Sequence, residues 1–113
     1  MNFDIKKVKI SVTVPKENLD EVRTAMCNKG AGIIGNYTFC SSSTKSIGTF
    51  IPNDKANPYI GEKNKLECVE EETLEVICDV EKVKTVIKEL RKYHPYEEPA
   101  ISIVPLIDET EFL

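Results

Sequence analysis

Alternation of apolar and polar residues near the start of the chain predicts the first strand. Residues 7–14, KVKISVTV, place an apolar side chain at every even position and a polar one at every odd position. A period of two is typical of a strand that buries one face and exposes the other. Pro15 ends the pairing, because proline has no N–H to donate.

A helical period follows over residues 16–28. Leu19, Val22 and Met26 fall on one stripe of that helix. Gly30 stands where a left-handed turn would end the helix.

The segment GAGIIG, residues 30–35, fits the dinucleotide pattern G-x-G-x-x-G. That fingerprint requires a strand before the glycines and a helix after them, because the helix N-terminus faces the phosphates. Here the glycines follow a helix and precede residues rich in β-branched and aromatic side chains. We therefore interpret them as a helix cap and an entry into the sheet, and we predict no NAD or FAD.

Residues 33–41 and 46–51 are predicted strands, joined as a hairpin through a Ser/Thr/Lys turn. Residues 52–65, PNDKANPYIGEKNK, are a predicted loop. A loop of this length in a compact domain is often functional or packs against a neighbour.

Residues 66–79, LECVEEETLEVICD, predict a long strand with Leu74, Val76 and Cys78 on one face. Three glutamates at 70–72 indicate a bulge or a solvent-exposed extension. The acidic side chains of this strand are expected to form a solvated face rather than a cation site; they are Glu67, Glu70, Glu71, Glu72 and Glu75.

Residues 79–93 predict the second helix, with Asp79 as its N-cap and an apolar face of Val83, Val86, Ile87 and Leu90. Residues 100–107, AISIVPLI, predict the last strand, and residues 108–113 a loosely held acidic tail. This order predicts an α+β fold, a split βαβ sandwich with an antiparallel sheet and two helices on one face. We expect a single domain over residues 1–113, with an extra hairpin and a long loop.

Charge and length narrow the function class. A chain of 113 residues suits one domain. A net charge of −4 and a pI near 5.1 disfavour a nucleic-acid partner. Neither a signal peptide nor an apolar stretch of membrane-spanning length is expected, so the predicted location is the cytoplasm. The cysteines, Cys27, Cys40, Cys68 and Cys78, lack C-x-x-C spacing and are expected to be free thiols.

The turn HPYEEP, residues 94–99, carries the candidate chemistry. It holds the only histidine, His94, beside Tyr96 and Glu97, and its two prolines stiffen the backbone. These three residues are the candidate ligand-binding site, and His94 with Glu97 could hold a divalent metal. Alternatively, His94 bonds the last helix carbonyls while Tyr96 packs on the sheet. A single histidine cannot furnish the usual three-ligand catalytic zinc site.

Three long motifs, GAGIIGNYTFCS, GTFIPNDKANPYIGEKNKLECVEEETLEV and YHPYEEPAISIVPL, resemble the small inserted domain of the Nif-three-like family (NGG-one-interacting-factor-three-like, YqfO type). The resemblance runs from about Lys7 to Leu106. That domain is in turn similar to CutA and PII-like proteins, which implies a ferredoxin-like fold and a homotrimer. The HPYE turn is also similar to one in CutA, which favours Glu97 over Glu98 as the functional glutamate.

The full-length family surrounds this domain with a dinuclear metal-binding domain whose residues are not in this sequence, so neither that metal site nor the cyclohydrolase label of some members is carried over. The family typically has glycine where Ser46 and Asn64 stand, and often arginine where Thr73 stands. The sequence predicts a small non-enzymatic binding or regulatory module that takes a ligand, a metal ion or a partner protein at a subunit cleft. The alternative is a small enzyme with His94 and Glu97 as an acid–base pair.

Overall fold

The computed structural model describes residues 2–113 and contains four strands and two α-helices. In chain order these are β1 (Lys7–Pro15), α1 (Leu19–Cys27), β2 (Ser42–Phe50), β3 (Glu67–Asp79), α2 (Val83–Tyr93) and β4 (Ile101–Leu106). A 3₁₀ turn precedes each helix, at Lys16–Asn18 and Val80–Lys82, and another forms at Glu109–Phe112.

The strands form one sheet in the order β2-β3-β1-β4, and every neighbouring pair is antiparallel. Each helix connects two strands that are not neighbours in the sheet, which is the ferredoxin-like arrangement. The predicted α+β fold class is confirmed. No helix among residues 2–113 is both long enough and apolar enough to cross a membrane.

The apolar face of β1 forms the centre of the core. Its even-numbered residues are at most 8% exposed, and they pack with Val22 and Met26 of α1 and with Val86 and Leu90 of α2. Fully burying one such side chain contributes roughly 1.5–3 kcal/mol. A one-residue slip of β1 would expose this whole set, so the pattern fixes the register that the sheet shows.

Gly30 ends α1 as predicted. Its φ is 102°, its N–H donates to the Cys27 carbonyl at 3.1 Å, and the N–H of Ala31 donates to the Met26 carbonyl at 3.3 Å. This is the Schellman arrangement, in which the buried Ala31 supplies the apolar contact. Two residues on, the N–H of Gly32 donates to the Ile77 carbonyl of β3 at 2.8 Å, so the glycines do lead from a helix cap to the sheet.

The predicted hairpin between residues 33–41 and 46–51 is wrong. Residues 33–41 are irregular apart from a bridge between Ile34 and Tyr37, and positive φ angles at Gly35 (56°) and Phe39 (55°) are incompatible with a strand. The Ser/Thr/Lys segment predicted as a turn is the start of β2, whose exposed side chains give no alternation signal. The observed hairpin joins β2 to β3 through residues 51–66.

Two details at the ends of β3 also differ from expectation. Asp79 makes no side-chain cap hydrogen bond; its carboxylate instead accepts from the Lys7 ammonium at 2.8 Å. That contact lowers the pKa of Asp79 and raises the pKa of Lys7. Both side chains are more than a third exposed, so the pair contributes at most about 1 kcal/mol. The three glutamates at 70–72 form no bulge, because β3 keeps unbroken register with β2 through them.

Two of the departures from the family pattern touch each other on the face of the sheet away from the helices. The hydroxyl of Thr73 donates to that of Ser46 at 3.1 Å. Asn64, the third departure, has a φ of 64°, a left-handed conformation that asparagine tolerates. The backbone that a glycine would adopt there is therefore kept.

Candidate functional site

The unequal lengths of the strands create a cleft at one end of the sheet. β1 pairs with β3 only from Glu71 onward, whereas β2 pairs with β3 from Glu67. Residues 47–50 and 67–70 therefore form a two-stranded arm that extends beyond β1. The loop 51–66, the turn 94–100 and this arm enclose a cleft of about 700 Å³.

His94 fastens the turn to the end of β1. Its backbone N–H bonds the Leu90 carbonyl at 2.9 Å, ending α2, and the next residue is a proline. On the imidazole, Nε2 lies 2.8 Å from the Thr13 carbonyl, and Nδ1 accepts the Tyr96 N–H at 3.1 Å. Thr13 is one residue beyond the last β1–β4 pair. The imidazole therefore bonds a carbonyl just past the point where β4 stops pairing with β1.

These two contacts assign the tautomer of His94. A carbonyl requires a donor and a backbone N–H requires an acceptor, so the ring is neutral with its proton on Nε2. The side chain is buried, and that burial lowers the pKa of His94 against the opposing effects of the Thr13 carbonyl and Glu71. Both ring nitrogens are committed to backbone groups.

Buried Glu71 and half-buried Tyr96 form a polar pair in the cleft. The Tyr96 hydroxyl donates to Glu71 Oε2 at 2.7 Å, and Glu71 is only 7% exposed. Burial and the carboxylate together raise the pKa of Tyr96 well above its ordinary value. The Tyr96 ring centroid is 4.9 Å from that of His94, 6.2 Å from that of Tyr59 and 6.4 Å from that of Phe50.

Burial of Glu71 corrects the expectation that all five glutamates of β3 form a solvated face. The other four are exposed or half-buried, as expected. Glu71 differs because Gly48 on the neighbouring strand leaves room for its carboxylate: a Cβ at position 48 would overlap Glu71 Oε1. A glycine inside a strand is a known sign of such close approach, and it is the signal that sequence reasoning passed over.

Glu97 and Glu98 take different directions, as an extended segment requires. Glu97 Oε1 accepts the N–H of Asn57 at 2.8 Å and so ties the turn to the long loop. The Glu98 side chain is 84% exposed, and its Oε2 lies 3.9 Å from the Arg91 guanidinium. Within residues 2–113, no hydrogen bond or ion pair joins His94 to either glutamate.

The donor set does not fit a metal held by His94 and Glu97. Such a site needs an imidazole nitrogen with a free lone pair, and Nδ1 of His94 already accepts the Tyr96 N–H. Among the described residues, no group of three or more His, Cys, Asp or Glu side chains is placed to hold an ion. The geometry favours a structural role for His94, although it bonds a strand carbonyl rather than the helix carbonyls of the alternative.

The structure thus brings together only part of the predicted site. Tyr96 and Glu97 line the cleft, whereas His94 lies behind Tyr96. The cleft is also lined by three residues that were not predicted as part of the site: Phe50, Tyr59 and Glu71. They lie on β2, on the loop 51–66 and on β3, and no local spacing connects them to the turn 94–99.

The chain is similar in sequence to one region of several longer proteins. No family profile matches it. It is 44% identical over 105 residues to a GTP cyclohydrolase 1 type 2 homolog of Halalkalibacterium halodurans, covering 93% of this chain and 28% of the relative. A protein of the same name from Bacillus subtilis is 47% identical over 98 residues, covering 87% and 26%. The chain therefore spans about a quarter of the length of the curated relatives it matches.

Solved structures agree with this placement. A Bacillus cereus protein related to NIF3 superposes with a TM-score of 0.79 at 37% identity, over 95% of this chain and 27% of that one. The divalent cation tolerance protein CutA from Archaeoglobus fulgidus superposes with a TM-score of 0.68 at 22% identity, over 95% of this chain and 91% of that one. The resemblance predicted from the motifs is confirmed, and the likeness to CutA is one of fold.

Proposed function

We propose that this chain, which is homologous to one domain of the NIF3-related proteins, is a homotrimeric binding module whose cleft takes a small ligand. The cleft itself is the observation that carries the proposal. Its volume of about 700 Å³ lies in the range of small-molecule sites. Aromatic walls with a few converging polar groups are also typical of such sites.

The polar groups of the cleft have distinct tasks in this proposal. Tyr96 and Glu71 present a fixed donor–acceptor pair at the base, and Glu97 holds the loop 51–66 against the turn. His94 is a positioning residue, because its ring sets the backbone from which Tyr96 projects. The proposed setting is the reducing cytoplasm, which the four free cysteines support.

The catalytic alternative has less support. An acid–base pair needs a histidine that can exchange a proton with a substrate, and His94 is 6% exposed with both nitrogens bonded to backbone groups. The cyclohydrolase name belongs to relatives of which this chain spans about a quarter, and that activity is not part of the proposal.

A fragment screen by NMR tests the proposed site. The ¹⁵N-labelled protein is titrated with a small library of neutral, cationic and anionic fragments. The amide signals of Gly48, Phe50 and Tyr96 should shift together, because all three residues line the cleft. Fragments that shift only signals remote from the cleft, or none, would contradict the proposal.

A pair of neighbouring glutamates provides the matched control. Glu97→Gln keeps an acceptor for the Asn57 N–H but replaces a charge-assisted hydrogen bond to the loop by a weaker neutral one, whereas Glu98→Gln removes the charge of a side chain that is 84% exposed. Fragment affinity should fall in the first variant and stay close to wild type in the second. Equal losses in both would show that negative charge in this turn, and not the contact of Glu97 with the loop, sets the affinity, and would contradict the assigned role of Glu97.

A further inference from the structure

Glu71 is a buried carboxylate with no cationic partner. Among residues 2–113, its hydrogen bond is the one from the Tyr96 hydroxyl, and no lysine, arginine or histidine lies within 4.0 Å of it as an ion pair. Complete removal of an unpaired carboxylate from water costs several kcal/mol, and Glu71, at 7% exposed, bears part of that cost. Buried charges in proteins are accordingly paired or bind a cation.

The Glu71 carboxylate faces the cleft, which is large enough for a small ligand. Glu71 lines the cleft, and Oε1, the oxygen that Tyr96 does not use, rests over Gly48. No side chain at position 48 covers it. The free oxygen is therefore available to accept a hydrogen bond from a group that enters the cleft.

The walls of the cleft suit a positive charge in two further respects. The rings of Phe50 and Tyr59 both neighbour that of Tyr96, at 6.4 and 6.2 Å between centroids, and aromatic faces attract ammonium groups. Among the charged side chains of the lining there are three glutamates and a single lysine, Lys55. The local field is therefore negative.

We propose that the cleft binds a small organic ammonium cation, with the ammonium group on Glu71 Oε1 and its carbon skeleton against Phe50, Tyr59 and Tyr96. This inference rests on the proposed function, because it names the ligand class of that same cleft. The cation completes the pairing of Glu71 that the chain itself does not supply.

Three probes of similar size and different charge test the assignment: benzylamine, benzyl alcohol and benzoate. Each is titrated into the full chain, with the amide signals of Gly48 and Tyr96 as the readout. Benzylamine should bind at least about tenfold more tightly than benzyl alcohol, a difference of about 1.4 kcal/mol. Benzoate should be the weakest of the three.

Two neighbouring substitutions separate the buried charge from general surface charge. Glu71→Gln keeps an acceptor for the Tyr96 hydroxyl but removes the charge, so the preference for benzylamine should disappear. Glu70→Gln removes an exposed charge next to it in the chain, and the preference should persist. A preference lost equally in both variants would overturn the role of Glu71.

The outcomes distinguish the ligand class from the site. Equal binding of benzylamine and benzyl alcohol in the cleft would overturn the cation assignment and leave the cleft as the site. Failure of all three probes together with the whole fragment library would overturn both. A benzylamine dissociation constant that rises with protein concentration after correction for bound ligand would show that a neighbouring copy competes for the cleft, and would overturn the small-ligand assignment.

Discussion

At the residue scale, His94 is the side chain whose apparent role changes most between sequence and structure. As the only histidine in an acidic turn, it suggests a ligand or a base. In the fold its buried ring joins two backbone segments, because Nε2 bonds the Thr13 carbonyl and Nδ1 accepts the Tyr96 N–H. The bond from the Tyr96 N–H requires an unprotonated Nδ1, whereas Nε2 can donate to the Thr13 carbonyl in either charge state, so protonation of His94 loses one of its two bonds and is linked to stability.

Stability should therefore fall on mild acidification. Because the pKa of folded His94 lies below its ordinary value of 6.5, the unfolded chain binds more protons as the pH drops past that value. The contribution of the neutral ring is complete above pH about 6.5 and is lost as the pH falls through the lowered pKa. Urea unfolding at pH about 7.5 and about 5.5 measures the difference.

A variant without an imidazole is the control for that measurement. The chain has only one histidine, so His94→Gln should be less stable than wild type at the higher pH but should show a flatter pH dependence. An unchanged slope in the variant would mean that other groups carry the effect.

Cysteine reactivity provides a second prediction at this scale. Cys27 and Cys78 are buried, and burial raises the pKa of each thiol, whereas Cys68 is exposed and Cys40 half-buried. Only the thiolate is nucleophilic, so the native protein should react with a thiol reagent first at Cys68 and Cys40. Denaturation without reductant, after anaerobic purification, should release four thiols. A count of two would indicate a disulfide.

At the element scale, the C-terminal end of α1 and the path into β2 depend on glycine. Gly30 combines a φ of 102° with a tight contact, since an added Cβ would lie 2.8 Å from Lys82 Cδ. Gly35 also has a positive φ, but a Cβ there would meet nothing within 4 Å. Substitutions at the two positions therefore compare a helix cap that contacts a neighbouring side chain with a turn that has open space around it.

Gly30→Ala should lower the free energy of unfolding by about 1 kcal/mol or more, because the Schellman turn requires a left-handed residue. Gly35→Ala, with a smaller φ and open space, should cost less. Chemical denaturation of both variants gives the comparison. Neither variant should acquire or lose affinity for NAD, and tight NAD binding by the wild type would refute the interpretation of the glycines.

At the scale of the whole molecule, the shape is extended for a chain of this length, with principal extents of 51 × 31 × 24 Å. The arm beyond β1 contributes to this, and a two-stranded ribbon alone is at best marginally stable in water. It also exposes apolar side chains: Ile47 of the edge strand β2 is 70% exposed, and Leu66, which directly precedes β3, is 67% exposed. Surface of this kind favours association.

Light scattering at micromolar concentration tests the proposed trimer, which should have a mass about three times 12.7 kDa. Ile47→Lys, on the exposed edge strand, should shift the mass toward the monomer while leaving the sheet intact, because charged residues block edge pairing. A monomeric wild type at that concentration would contradict the assembly.

The sequence by itself determined the periodic parts of the fold. Both helices, the first strand and the second half of β3 bury one face. Burial of one face requires apolar residues at a regular spacing, and that spacing can be recognised in the sequence. The Gly30 cap was predictable because a left-handed position has a narrow choice of residues. β2 was misplaced because its exposed side chains need not alternate, and only the register with β3 shows where it starts.

Only the tertiary structure decided the site. Whether Glu71 is solvated or buried depends on Gly48, which lies on another strand, and the partners of His94 depend on where the β1–β4 ladder ends. Hydrogen bonds such as these join residues as far as 81 positions apart, from His94 to Thr13. The sequence shows which donors and acceptors the site contains. Which donor bonds which acceptor depends on how the strands and turns pack, and no local sequence pattern predicts that.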